Sequence, residues 1–254
     1  MQGTGLANED GGTRMMLQWM RSLAFGFFMY AAMFGYAILF LPFAVISRDW
    51  AYRACNAWCA LVVRTAHRMV GLKVEIRGDP PAGDVLIAAK HQSFFDIIVI
   101  FHSVHRPRFI MKRELLLAPV LGQYALRIGC IPVARGKRSE AIRKMKREVG
   151  RKGSDMGQLI IYPQGTRVAP GSWKPYKVGT GVLYEQLGKP CVPVATNVGF
   201  FWPKREVLRR PGTAVVEFLD PIPPGLPVAE FMETLEERVE ARSDALLDEA
   251  RAAS

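Results

Sequence analysis

Cysteine and histidine are scarce in this chain, with four of each in 254 residues. The cysteines, at positions 55, 59, 130 and 191, form no C-x-x-C pair, so neither a zinc ribbon nor a thioredoxin-like redox site has support. Cys55 and Cys59 stand one helical turn apart and read as packing residues. This usage fits a reducing, cytosol-facing compartment. No G-x-S-x-G occurs, which argues against the strained serine elbow of an α/β-hydrolase. Internal repeats and low-complexity tracts are also lacking. Acidic residues are in deficit: 23 Asp+Glu face 34 Lys+Arg, a formal charge of +11.

Apolar residues make up half of the chain, which excludes intrinsic disorder. Charged residues make up 22%, which leaves room for few membrane spans and argues against a polytopic transporter. A nucleic-acid binder would explain the basicity but not the positive mean hydropathy. A protein held on an anionic membrane explains both. The length suits one α/β domain with appendages and a sizeable core.

Residues 1–13 are polar and Gly-rich and predict a loose tail. Residues 23–46 then run for 24 positions without a charge. As a helix they would cover about 36 Å, enough to cross ~30 Å of hydrocarbon. The run is too long and too aromatic for a signal-peptide core, and no A-x-A site follows it. Pro42 is expected to kink or end the helix. Spanning and re-entrant readings are both open. Residues 50–70 read as a helix in the membrane interface, with Trp50 and Trp58 among Arg53, Arg64 and Arg68. The arginines that follow the apolar run outnumber Arg14 and Arg21 before it, which places the C-terminal side in the cytoplasm if the run spans.

From residue 72 the pattern becomes that of an α/β domain. Strands are predicted at 74–77, 85–89, 109–111, 131–134, 159–162, 192–196 and 214–218. Helices are predicted at 93–104, 114–127, 137–150, 178–187 and 228–250. The alternation argues for a mixed or largely parallel sheet flanked by helices. The expected organisation is a membrane-anchoring helical element over 1–71 and a cytosolic α/β domain over 72–254. Glu233, Glu236, Glu237 and Glu240 on the last helix read as a solvated face.

The four histidines give a short list of candidate bases. His67 belongs to the interfacial helix, and His102 and His105 give only a weak i, i+3 metal pair. His91 follows the strand 85–89 at its C-terminal end, where open α/β sheets bind ligands. In the segment His91-Gln92-Ser93-Phe94-Phe95-Asp96, two readings stand side by side. Ser93 and Asp96 make a capping box, or Asp96 folds back to hold the His91 imidazole and stabilise its charged form. Two further strands end in an arginine beside Gly-rich turns: Gly129 to Gly136, containing Arg135, and Tyr162-Pro163-Gln164-Gly165-Thr166-Arg167. Such arginines and turn N–H groups make a phosphate cradle. Val192-Pro193-Val194 reads as the wall of a pocket.

The ordered series H-x4-D, G-x-I-x-V-x-R, Y-P-Q-G-T-R and V-P-V resembles the four sequence blocks of the glycerolipid acyltransferase family, over roughly 85–202. The likeness is nearest to its bacterial 1-acyl-sn-glycerol-3-phosphate acyltransferases. The resemblance implies transfer of a fatty acyl group from acyl-CoA or acyl carrier protein to the sn-2 hydroxyl of lysophosphatidate, for phospholipid biosynthesis at a bacterial inner membrane. It implies His91 as general base, oriented by Asp96, with no covalent acyl-enzyme and no resident cofactor or metal. Arg135, Gly165, Thr166 and Arg167 fall on phosphate and acceptor positions. Lys112 adds a phosphate contact, and Val192, Pro193 and Val194 line the acyl or acceptor pocket. Implied partners are membrane phospholipids and the two substrates, not nucleic acid.

Two positions depart from the family pattern. Lys90 stands where the family usually has Asn, and Gln164 where it usually has Glu. An amide cannot serve as a counter-charge, which leaves open other acceptors such as glycerol-3-phosphate, another lysophospholipid or a lyso-ornithine lipid. Residues 106–152 hold 14 Lys+Arg and 3 Asp+Glu. The basic stretch 136–152 within them reads as a solubilising face, an anionic-headgroup contact or a dock for an acidic carrier protein. No aromatics interleave with its charges, so single-stranded nucleic acid finds no stacking platform there.

Overall fold

The computed structural model describes residues 6–134 and 156–254, with side chains from residue 12 onward. Arg135, the helix expected over 137–150 and its basic stripe lie outside the described residues.

Two helices come first, α1 (Leu6–Ile46) and α2 (Arg48–Val70). The Ser47 hydroxyl between them accepts from the Asp49 N–H at 3.2 Å and starts α2. Gly71 ends α2 in the left-handed conformation, φ 73°, its N–H returned to the last turn. α1 corrects one expectation and narrows another. It begins at Leu6, inside the segment expected to be a loose tail, where Leu6, Ala7, Glu9 and Asp10 favour a helical first turn. Pro42 does not end it. Hydrogen bonds from Tyr124 Oη to the Ala37 carbonyl (2.9 Å) and from Arg127 to the Ala44 and Val45 carbonyls (2.8 and 2.6 Å) hold the helix on either side of the proline. Arg127 also places positive charge at the carbonyl end of α1.

The remaining elements are β1 (Leu72–Arg77), β2 (Val85–Ala89), α3 (Phe95–Ser103), β3 (Pro107–Lys112), a 3-10 turn (Arg113–Leu117), α4 (Leu121–Arg127), β4 (Ile131–Val133), β5 (Gln158–Ile161), α5 (Gly179–Leu187), β6 (Cys191–Thr196), α6 (Val198–Phe201), β7 (Gly212–Phe218) and α7 (Val228–Ala252). The single helix expected over 114–127 is two pieces. Pro119 disfavours helix at the residue before it, and Val120 turns the chain at φ 68°.

The sheet runs β1-β7-β6-β2-β5-β3-β4. Neighbours are parallel except β6 and β7. β2 lies near its middle and is buried along its whole length, as its unbroken apolar run requires. Its residues alternate between two cores. Ile87 and Ala89 pack with α1, α2 and α3, whereas Leu86 and Ala88 pack with Leu183 and Tyr184 of α5 and Phe231 and Leu235 of α7. The first core runs continuously from Phe25 and Met29 of α1 to Val216 of β7, so the N-terminal helices share it with the sheet.

α1 lies along the domain surface and is apolar on both its inward and its outward face. Ser22, Phe25, Met29, Ala37 and Ala44 are buried at helical spacing. Phe27, Ile38, Leu39, Val45 and Ile46 face outward and are 65–81% exposed. Its residues 12–46 are long and apolar enough to cross a membrane, with 17% of the most apolar window buried against the protein.

Candidate active site

The chain leaves β2 and turns at Lys90, whose N–H donates to the Val194 carbonyl of β6 at 2.9 Å. Gln92 is held by its Oε1, which accepts from the Gly199 N–H at 3.0 Å. α3 then starts, and Asp96 in its first turn is fully buried. Both readings of this segment are realised at once, one on each oxygen. Asp96 Oδ2 accepts from the backbone N–H groups of Gln92 (2.8 Å) and Ser93 (2.7 Å). Asp96 Oδ1 lies 3.0 Å from His91 Nδ1. Tyr162 Oη also donates to Oδ1, at 3.4 Å, and its ring stacks on the imidazole with centroids 4.0 Å apart. Burial, reinforced by the Asp96 charge, raises the Tyr162 pKa well above its ordinary value and keeps it a donor. An ionised carboxylate only accepts, so His91 Nδ1 carries the proton and Nε2 keeps the free lone pair.

His91 lies on a cavity of about 980 Å³, near the top of the ~300–1,000 Å³ range of small-molecule sites. One end is cationic. Lys112 at the end of β3, Arg167 and Lys177 line it, and among the described residues no Asp or Glu does. Gly165 takes φ 65°, a conformation that favours glycine, and the end of the Lys177 side chain lies against its bare Cα. The first turn of α5 faces this end. Gly179 looks onto open space, and Thr180 is buried with its hydroxyl unpartnered in the cavity wall. The other end is apolar, walled by Met33 and Ala37 of α1, Cys55 and Cys59 of α2, Phe101 of α3 and Ile128 beyond α4.

The structure therefore places His91, Lys112, Gly165, Thr166 and Arg167 in the wall of one cavity, with Asp96 buried behind His91. Val192, Pro193 and Val194 are not in its wall. They lie inside β6 within the sheet, and Val194 acts on the site through its carbonyl bond to Lys90. Ser93 is fully buried, its hydroxyl occupied as acceptor for the Phe95 N–H at 3.1 Å, which leaves it no nucleophilic role. Burial pushes the Cys55 thiol up to about 12, that of Cys59 well up and that of Cys130 to about 11, so none of the three wall cysteines is a thiolate near neutral pH.

Sequence reasoning missed four contributors: Tyr162, Lys177, Thr180 and Glu240. Glu240, on the acidic side of α7, is partly buried rather than merely solvated. Its carboxylate pairs with Lys90 Nζ and accepts from Tyr176 Oη at 2.8 Å and Gln164 Nε2 at 3.4 Å.

Residues 72–197 match the family described as Acyltransferase. A 1-acyl-sn-glycerol-3-phosphate acyltransferase of Pseudomonas aeruginosa is 27% identical over 161 residues, 63% of this chain and 63% of that one. The chain thus matches a little under two thirds of that relative's length. The alpha form of 1-acyl-sn-glycerol-3-phosphate acyltransferase from Mus musculus is 28% identical over 214 residues, covering 80% of this chain and 75% of the relative. The crystal structure of PlsC from Thermotoga maritima, a 1-acyl-sn-glycerophosphate (LPA) acyltransferase, superposes with a TM-score of 0.73 at 21% identity. That match covers 92% of this chain and 98% of that one, and it establishes the fold.

Proposed function

Because residues 72–197 make this chain a member of the Acyltransferase family, we propose that it moves a fatty acyl group from an acyl thioester to the sn-2 hydroxyl of lysophosphatidate. The thioester is carried on coenzyme A or acyl carrier protein. The observation that carries this reading is one cavity whose wall brings an oriented imidazole together with three cationic side chains and a largely apolar remainder.

The division of labour follows from charge and polarity. Arg167, Lys112, Lys177 and the first turn of α5, with Thr180, hold the acceptor's phosphate. The apolar arm takes a fatty chain, whose burial is favourable by about 0.8 kcal/mol per methylene. His91 Nε2 takes the proton of the sn-2 hydroxyl as the oxygen attacks the thioester carbonyl. Collapse of the tetrahedral intermediate breaks the C–S bond, and the imidazolium returns the proton to the departing sulfur. Asp96 stabilises the imidazolium between the two steps and keeps the Nδ1–H tautomer.

The same geometry supports a membrane placement. α1 is fastened to the domain from Gln18, which donates to the Val70 and Arg209 carbonyls, to Val45. That is 28 residues, about 42 Å of helix. A helix bound along that length cannot cross a bilayer without taking the domain with it. Its apolar outer face instead lies in one leaflet, beside the apolar end of the cavity that Met33 and Ala37 wall. We place the catalytic face on the cytoplasmic side of a bacterial inner membrane, where acyl thioesters are made.

An acceptor-by-donor activity matrix on the purified full chain tests the reading. Lysophosphatidate is expected to be acylated faster than glycerol-3-phosphate, other lysophospholipids or a lyso-ornithine lipid. Arg167→Ala is expected to raise the lysophosphatidate KM roughly 10- to 100-fold through loss of a charge-assisted contact. Absence of turnover on lysophosphatidate, with turnover on another acceptor, would reassign the substrate.

A further inference from the structure

The two residues that depart from the family pattern, Lys90 and Gln164, belong to one buried cluster, and a third residue from the far end of the chain joins them. Lys90 is 3% exposed and precedes His91. Gln164 is 1% exposed and precedes the Gly165–Arg167 turn. A buried ammonium needs a close counter-charge. Glu240 of α7 supplies it, pairing with Lys90 Nζ through one carboxylate oxygen. The other oxygen accepts from Gln164 Nε2 and Tyr176 Oη. Gln164 Nε2 donates a second time, to the Lys174 carbonyl at 3.2 Å. Two acceptors thus face the Gln164 nitrogen, which fixes its amide orientation. A carboxylate at position 164 would face both of those acceptors and would repel Glu240.

The geometry points to Glu240 as a positioning residue of the active site: by holding Lys90 and Gln164 on one carboxylate it sets the spacing between His91 and the Gly165–Arg167 turn. It takes over the counter-charge that Gln164 cannot provide. The two loops also meet directly, since the Val168 N–H donates to the His91 carbonyl at 2.8 Å. Tyr176 is a fixed donor in the cluster, because burial and the nearby Glu240 charge raise its pKa. α7 is thereby part of the machinery that aligns base and acceptor, although it contributes no residue to the cavity wall.

The inference rests on the acyl-transfer reading, and its test separates the two. Glu240→Gln, Gln164→Glu and the double variant are compared with the parent in the full-length protein. kcat, acceptor KM and thermal melting are measured, activity being read on whichever lysolipid of a panel the parent acylates fastest. Gln164→Glu alone is expected to lower kcat about tenfold or more and to raise acceptor KM. Adding Glu240→Gln to it, which removes the repulsion between the two carboxylates and leaves one negative charge in the cluster, restores kcat to within about threefold of the parent. Glu240→Gln alone lowers kcat while the melting transition stays cooperative. Independent, multiplicative effects of the two substitutions, or an unchanged kcat and KM in Glu240→Gln, would overturn the role given to Glu240. A parent that prefers a lipid other than lysophosphatidate would count against the acceptor proposed above, while the coupling between positions 164 and 240 would still decide this inference.

Discussion

The two ends of the cavity differ in the reach of the bonds that build them. At the polar end, Asp96 bonds groups three, four and five positions away: Ser93, Gln92 and His91. At the apolar end, the fixing bonds join distant parts of the chain. Trp58 Nε1 donates to the Met29 carbonyl across 29 positions, Tyr52 Oη to Ile128 across 76 and Tyr124 Oη to Ala37 across 87. The contact between His91 and Asp96 is thus made within one local turn, which Tyr162, Gly199 and Glu240 then tie to distant elements, while the wall of the apolar arm has no such local part and exists only when the whole fold is assembled. Chemistry and chain selectivity should therefore respond separately to substitution.

The largest separation is expected at His91. His91→Ala should lower kcat by about 10²- to 10⁴-fold while the melting transition stays cooperative, since Asp96 keeps its bonds to the Gln92 and Ser93 N–H groups and to Tyr162. Asp96→Ala should lose activity and also melt earlier, because two buried N–H groups lose their acceptor at roughly 1–3 kcal/mol each. Parallel kcat and circular-dichroism melts would show the contrast. Retention of more than a few per cent of kcat in His91→Ala would remove the base from the scheme. A smaller effect is expected at the other end. Cys55→Phe fills part of the apolar arm, so kcat/KM for long acyl donors should fall about fourfold per methylene displaced, while short donors stay within about twofold. A uniform fall across chain lengths would mean that the arm does not hold the acyl chain. The smallest effect is expected from Ser93→Ala. Loss of the bond to the Phe95 N–H should destabilise by about 1 kcal/mol, or about 2–4 °C in melting temperature, with turnover nearly unchanged. A loss of turnover as large as that of His91→Ala would restore a serine nucleophile.

The same difference in reach explains what could be read from the sequence. The run Val85–Ala89 announces a central strand because both of its faces are buried. His91 and Asp96 announce themselves because their contact is a property of a single helix start. The parallel sheet with flanking helices follows from the alternation of short apolar runs and longer amphipathic ones. The split of 114–127 was recorded in Pro119, but its sharpness depends on Val120 in a conformation that no local pattern signals. Glu240 was hidden by its neighbours. Glu233 and Glu237 are exposed, and the four acidic residues share one helical periodicity. Only the partner 150 positions away distinguishes Glu240 from a solvated charge. Lys177 was hidden for a similar reason, since its placement depends on the bare Gly165 across the turn. Val192, Pro193 and Val194 carry the fourth block's pattern but lie in β6 outside the residues that line the cavity, and strand alternation sends Val192 and Val194 into the shared core.

The fastening of α1 bears on how a water-soluble form could be made. The customary shortcut with lipid enzymes is to trim an N-terminal anchor and keep the catalytic unit. In this chain, cutting ahead of residue 72 would remove Phe25 and Trp58 from the shared core and one side of the acyl arm. It would also leave Tyr124 and Arg127 without the carbonyls they hold. Solubility is better sought by exchanging the outward residues Phe27, Ile38, Leu39 and Val45 for polar ones, which leaves the inward stripe as the inner lining of the enzyme.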